Sequence, residues 1–301
     1  MELINIRDFV SNIDSRLTDI ELVNKYIHLF TGVSDNVVDL RCLNFSLNIS
    51  GSGSQGTLYK ACTPDWYFKL SQFSEYVPEE YGYESIYEVI GSIVADWLGF
   101  EHVGYEICHA LISIGTREYT VYLCVSRNYK KRYEHRSTLE HLLKLKGLNT
   151  LDLEENFNAC KNETYFSKMC QMILFDYIID NRDRHGANIE LLISDSIRLS
   201  PIYDTGYCLL APMQYDIEKF NKFNPLHDGP VNNFLISMFW QDVLLGLKGY
   251  IKVPEVDYEK LNFDYLEPCF TKHGDVILRY SRAMIIGRFR HAKEILNSWM
   301  W

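Results

Sequence analysis

Apolar residues recur at three-to-four spacing through the first stretch of the chain, at Ile13, Leu17, Ile20, Val23, Ile27 and Phe30. That spacing predicts a helical, otherwise polar lead-in over residues 1–44. From Phe45 the texture turns to alternation. FSLNIS (45–50) and TLYKAC (57–62) flank a run of glycine and serine and predict a hairpin. Thr63-Pro64-Asp65 signals a turn, after which WYFKLS (66–71) resumes as a strand. Residues 79–98 then carry Tyr83, Ile86, Tyr87, Ile90, Ile93, Val94 and Trp97 on one helical face, with Gly99 placed to cap the C-terminus. Two further strands follow, HVGYEICHALISI (102–114) and EYTVYLCVS (118–126).

The second half is mostly helical. Residues 164–180 put Phe166, Met169, Cys170, Ile173 and Tyr177 on one face, and the polar run DNRDRHGAN (180–188) follows. Two short strands, IELLI (189–193) and IRLSPIYD (197–204), are joined through Ser194-Asp195-Ser196. From Asp275 the chain ends in a helix in which Leu278, Ile285, Ala292 and Trp299 recur every seven residues. The expectation is an α+β fold with two lobes. A small β-rich N-lobe with one main helix spans 1–125, and a larger, mostly helical C-lobe spans 126–301, with a cleft between them.

Composition narrows the function. With 301 residues, 47% of them hydrophobic and 23% charged, the chain needs no metal or disulfide staple. A formal net charge of −10 argues against direct nucleic-acid binding, which calls for a basic surface. None of the eight cysteines forms a CxxC pair, so buried free thiols in a reducing compartment are expected. The start, MELINIRDFV, lacks a secretory pattern, and apolar stretches such as Phe234 to Trp240 are too short to span a bilayer. These features predict a cytoplasmic protein with no membrane partner.

The chemistry concentrates in Asp183-Arg184-His185-Gly186-Ala187-Asn188, followed by Tyr203-Asp204-Thr205-Gly206. Phosphoryl transfer needs a carboxylate beside the attacking hydroxyl, an asparagine five positions later on one metal, and a second aspartate on the metals. Asp183 and Asn188 have that spacing on a loop between a helix and a strand, and Asp204 is expected at the end of the next strand of the hairpin. Asn188 and Asp204 would hold Mg²⁺, which prefers such oxygens together with phosphate. A capped polar loop would use the same residue types, but not this spacing in this context.

The run Gly51-Ser52-Gly53-Ser54-Gln55-Gly56 lies between two strands, the form of a loop whose amides approach the phosphates of ATP. Alone, a Ser/Gly hairpin tip is an equally good reading. On the next strand, Lys69 shares a face with Tyr67 if Trp66 and Phe68 face the core, and would contact the α and β phosphates. Lys60 is its rival, and Glu84 and Glu88 are the carboxylates that could pair with it. The adenine is expected between the lobes, against the backbone from Leu123 to Val125.

These residues, taken in order, resemble the HipA-like serine/threonine kinases over most of 45–205. GSGSQGTLYK (51–60) is similar to the family's loop, FKLS (68–71) to its lysine strand, YEVIGSIVADWLGFEHVGYEI (87–107) to its helix and following strand, and YLCVSRNYKKR (122–132) to its hinge. FDYIIDNRDRHGANIELL (175–192) and IRLSPIYDTG (197–206) resemble the catalytic and metal-binding segments. The resemblance implies Mg-ATP use, a protein substrate with a Ser/Thr acceptor, and an antitoxin-like regulatory partner. It implies Asp183 as base, Asn188 and Asp204 as metal ligands, and Lys69 as the phosphate-binding lysine. Glu88 is favoured over Glu84, and His185 is counted with the cofactor-binding residues. Ser50 and Ser52 stand where the family's loop serine is autophosphorylated, and a phosphate there would oppose nucleotide binding by its negative charge.

The sequence also departs from the family. The hinge lacks the usual Glu and Asp, the loop is richer in glycine, and 1–44 stands in place of an extra N-terminal subdomain. Two other functions stay open: a small-molecule or lipid hydroxyl kinase of the same chemistry, and a catalytically silent kinase fold acting as a binding or regulatory module. The stretch 207–230 is the natural place for acceptor recognition. It carries Lys219 and Lys222 against Asp216, Glu218 and Asp228, which disfavours an anionic lipid headgroup.

Overall fold

A computed structural model of the chain describes residues 2–10, 16–47, 58–72, 82–211 and 224–298. It divides into two compact units, one from Met1–Ser92, Val103–Asn128 and Phe263–Gly274, the other from Ile93–His102, Tyr129–Asn262 and Asp275–Trp301.

The first unit is built on a six-stranded sheet. Its elements are β1 (Leu3–Ile4), α1 (Ile6–Val10), α2 (Asp19–Tyr26), β2 (Val37–Asp39), β3 (Lys60–Cys62), β4 (Trp66–Lys69), α3 (Glu84–Leu98, which runs on into the second unit), β5 (Tyr105–Ile114) and β6 (Arg117–Arg127). The sheet order is β1-β2-β5-β6-β4-β3, and β1, β2 and β5 run parallel while the rest are antiparallel. The lead-in is therefore not purely helical. Its two helices span five and eight residues, and Leu3–Ile4 and Val37–Asp39 extend the sheet. Helices this short are marginal alone, so packing decides the segment. Ile6, Val10, Leu22, Val23 and Ile27 enter one core with Phe68, Ala110 and Ile112. Ile20, expected on the buried face, is 45% exposed because α2 packs through Leu22 and Val23 instead; Ile13 lies outside the described residues.

Of the other strands expected in this unit, β3, β4, β5 and β6 are present, whereas 45–47, the described part of FSLNIS, forms no strand. Ser46 and Lys60 form an antiparallel bridge, and the tip they flank, 48–57, lies outside the described residues. Trp66 and Phe68 are buried while Tyr67 and Lys69 are half-buried, the alternation expected of a strand with one face on a core. Helix α3 ends at Gly99, whose φ of +71° suits a residue without Cβ. The amides of Gly99 and Phe100 donate to Asp96 O (3.0 Å) and Ala95 O (2.9 Å), the paired bonds of a Schellman cap.

The second unit contains β7 (His135–Thr138), α4 (Leu139–Leu145), α5 (Leu153–Cys160), α6 (Phe166–Ile178), β8 (Asp183–Arg184), β9 (Glu190–Ile193), β10 (Ile197–Leu199), β11 (Asn232–Asn233), α7 (Trp240–Leu247) and α8 (Gly274–Asn297). Strands β10, β9 and β7 form one antiparallel sheet, and β11 pairs parallel with β8. The polar strand β7 carries no alternation that the sequence could reveal. Helix α6 is buried from Met172 to Ile178 on every side, and in α8 Leu278, Ile285 and Ala292 face the core as expected, while Trp299 lies outside the described residues. Six cysteines are buried as free thiols, Cys42 is half-buried and Cys62 is exposed. Among the described residues, no helix is long and apolar enough to cross a membrane.

Candidate active site

In the second unit the polar run after α6 is folded around one guanidinium. Arg184 is 2% exposed and donates four hydrogen bonds. Nε and Nη2 fork onto Asp176 Oδ2 (2.9 Å) and Oδ1 (3.0 Å), and Nη1 reaches Asn188 O (3.0 Å) and Tyr203 O (2.8 Å). Burial works against its charge, but the Asp176 carboxylate and its hydrogen bonds, with a contribution from Asp204, hold it above the ordinary arginine range. One nitrogen thus joins the carbonyl of Asn188 to that of Tyr203. The asparagine five places after Asp183 is thereby set alongside the residue preceding Asp204.

Asp204 itself does not end a strand as expected. Strand β10 stops at Leu199, and Asp204 follows in the left-handed region at φ +58°. Strained backbone of that kind is tolerated by aspartate and collects at functional sites. Asp180 is likewise left-handed, at φ +49°. It is anchored by Trp240 Nε1 at Oδ1 (2.8 Å) and by Arg182 at Oδ2 (Nη2, 2.8 Å), with Arg288 Nη2 3.3 Å from Oδ1. The turn out of α6 therefore has little freedom.

Asn188 is buried, and its Nδ2 donates to Asp183 O (2.8 Å), which leaves the amide oxygen as the atom it can offer a cation. The Asp183 side chain is 46% exposed, and its Oδ1 accepts from Asn232 Nδ2 (3.1 Å). His185 Nε2 stands 3.9 Å from the same oxygen. His185 Nδ1 accepts from Ala187 N (3.2 Å), capping the short turn Gly186–Asn188, so a neutral ring carries its proton on Nε2. Gly186 is required here, because a Cβ would lie 2.7 Å from Glu140 Cβ and 2.8 Å from the Phe234 ring.

In the first unit the Lys69 ammonium bonds to Glu88 Oε1, and Glu88 is fully buried. Glu84 is otherwise engaged, accepting from the Gln72 amide (2.9 Å), and Lys60 sits opposite Lys69 in the β3–β4 ladder. Leu123 and Val125 are placed differently from expectation. Both side chains are in the core, and from Cys124 to Ser126 strand β6 has ladder partners on both sides, in β4 and in β5. The backbone groups of Val125 serve the sheet and are not open to an adenine. The first position past the ladder, Asn128, gives its N–H to Asp65 O (2.9 Å). Ser50 and the loop residues Gly51, Ser52, Gly53, Ser54, Gln55 and Gly56 lie outside the described residues.

Two participants escaped the sequence reading. Asp176 sits in the apolar stretch MILFDYII, where a lone carboxylate needing a partner was the available signal. Asn232 had none.

No family model and no curated protein matches the sequence. Among solved structures, the chain is similar to the Helicobacter pylori proinflammatory kinase CtkA, at 14% identity over 88% of this chain and 100% of that one, with a TM-score of 0.57. It also aligns with HipA of Shewanella oneidensis MR-1, solved with HipB and its operator DNA, at 12% identity over 93% of this chain and 73% of that one. The TM-score of 0.43 for that pair is too low to carry an argument. The α+β fold is therefore kinase-like, resembling the first of these structures.

Proposed function

We propose that this chain is an ATP- and magnesium-dependent phosphotransferase, a HipA-like kinase acting on a protein serine or threonine hydroxyl. One observation carries the proposal: Arg184 Nη1 binds the carbonyls of both Asn188 and Tyr203, gathering a half-exposed Asp183, the Asn188 amide and the Asp204 segment around one buried cation. The donor set fits Mg²⁺, since a carboxylate and an amide oxygen are what that ion takes alongside phosphate oxygens and water. Asn188 and Asp204 are the residues that would hold it, and bound metal supplies charge neutralisation on the phosphates.

The remaining work falls to the chain's own side chains. Asp183 orients the acceptor hydroxyl and takes its proton late, as the new O–P bond forms and the bond to the leaving ADP oxygen breaks. Lys69, held by buried Glu88, binds nucleotide phosphate. Arg184 keeps the loop in register from behind, without touching substrate. Autophosphorylation at Ser50 or Ser52 and an antitoxin-like partner belong to this proposal through the sequence resemblance alone.

The test is incubation of the purified chain with Mg-ATP, followed by intact mass, beside Asp183→Ala and Asp204→Ala variants. Phosphate gained by the unmodified sequence only, mapped to Ser50 or Ser52, supports both the chemistry and the loop site. Failure to bind Mg-ATP at all would sink the proposal.

A further inference from the structure

We infer that Asn232 is a positioning residue that orients the Asp183 carboxylate toward the acceptor hydroxyl. The inference rests on the phosphotransfer reading and deepens it.

Strand β11 lies parallel to β8, with Asn232 opposite Asp183 and Asn233 opposite Arg184. The amides of Asn232 and Phe234 donate to Arg182 O (3.0 Å) and Arg184 O (3.1 Å), fixing the register on either side of Asp183. In that register the Asn232 side chain reaches Asp183 Oδ1 at 3.1 Å. An ionised carboxylate only accepts, so the amide nitrogen is the atom that faces it.

The consequence is directional. The second torsion of an aspartate side chain has a broad, nearly two-fold profile, and His185 Nε2, 3.9 Å from the same Asp183 oxygen, stands beyond hydrogen-bonding distance. With Oδ1 held by Asn232, Oδ2 is the oxygen presented to an incoming hydroxyl. Rate depends on such alignment far more steeply than ground-state binding does.

The neighbouring asparagine shows the contrast. Asn233 is buried and uses its Oδ1 to accept from Leu235 N (2.7 Å), a bond that shapes the turn. Asn232 is exposed, and its side chain is spent on the carboxylate. The strand does not depend on that side chain. Val231 N bonds Met238 O (2.8 Å), Pro230 bridges Phe239, and Asn156 Nδ2 reaches Phe234 O (3.3 Å). Removing the Asn232 amide should therefore leave β11 in place.

The experiment compares the unmodified sequence with Asn232→Ala, Asn232→Ser and Asn232→Asp. Total γ-phosphoryl turnover from Mg-ATP is followed to water, to the chain itself and to casein as a generic Ser/Thr acceptor. Mg-ATP affinity and thermal midpoint are measured in parallel. Asn232→Ala is expected to lower kcat about tenfold, with Kd for Mg-ATP and the midpoint unchanged, since a hydrogen bond to a charged group is worth about that much. Asn232→Ser should recover part of the loss through its hydroxyl donor. Asn232→Asp should lose more than alanine, because a second carboxylate faces the first. An unchanged kcat in Asn232→Ala, or a parallel fall in Mg-ATP affinity and midpoint, would overturn the role of Asn232 alone. An unmodified chain that binds no Mg-ATP and turns none over would overturn the phosphotransfer reading, and this inference with it.

Discussion

Arg184→Leu removes the group on which the candidate catalytic loop is hung, and its cost can be worked from the contacts. The substitution takes the forked charge partner from the Asp176 carboxylate, 1% exposed, which keeps a hydrogen bond from Asn181 Nδ2 (2.7 Å). Breaking a buried ion pair from one side costs about 3–5 kcal/mol. The carbonyls of Asn188 and Tyr203 lose a shared donor, which adds about 1 kcal/mol. The total of about 5 kcal/mol is a large part of the stability of an ordinary domain. Asp176→Leu should cost nearly as much, by burying an unpaired guanidinium. The double variant should be far milder than the sum, with a coupling of at least about 2 kcal/mol, because no uncompensated charge remains. Urea unfolding, with hydrogen exchange of residues 166–178 to localise the effect, gives all four corners of the cycle. With a urea slope of about 2 kcal/mol per molar, Arg184→Leu moves the midpoint by about 2.5 M. Additive single costs, or a loss below about 1 kcal/mol for Arg184→Leu, would refute the claim that this pair braces the loop.

Two further outcomes are expected. Glu88→Gln should raise Kd for Mg-ATP about tenfold by releasing the Lys69 ammonium, whereas Glu84→Gln, whose carboxylate caps the Gln72 amide, should leave it unchanged; titration calorimetry distinguishes them, and equal effects would reject the assignment. Glu134 forks with Arg198 (2.7 and 2.9 Å), and that hydrogen bonding holds its carboxyl below the usual range. A depressed carboxyl stabilises the fold above its unfolded pKa of about 4.3 and stops doing so as pH falls through the folded value. Glu134→Gln should thus cost about 1 kcal/mol at pH 7, discounted for an arginine 30% exposed, and progressively less as the pH is lowered through the folded value. Urea midpoints across that range test it, and a gap between the two proteins that widens on acidification would reverse the sign.

Much of the fold was legible because it is written in local period and punctuation. Alternation marked β4, β5 and β6, a helical stripe closed by Gly99 marked α3, and the five-residue interval from Asp183 to Asn188 marked the candidate loop. Strands β1 and β11, at two residues each, are too short to show any period, and β7, with the sequence HRST, has no apolar face to declare. The helix expected over the lead-in was partly right, yet Val38 and Asp39 join a parallel ladder whose partner in β5 lies more than seventy positions away.

The sequence by itself determined which segments are strands or helices with one apolar face, and which loop carries the oxygen-bearing residues. Neighbours within a few positions set both through backbone preference and side-chain spacing. Only the tertiary structure decided that Glu88 rather than Glu84 meets Lys69, that Val125 belongs to a strand flanked on both sides, and that Asp176 and Asn232 attend the loop. For Glu88 and Asp176, both buried, the choice follows from desolvation. A charge or amide carried into the interior must find its complement there, and the complement comes from whichever distant segment the packing brings beside it.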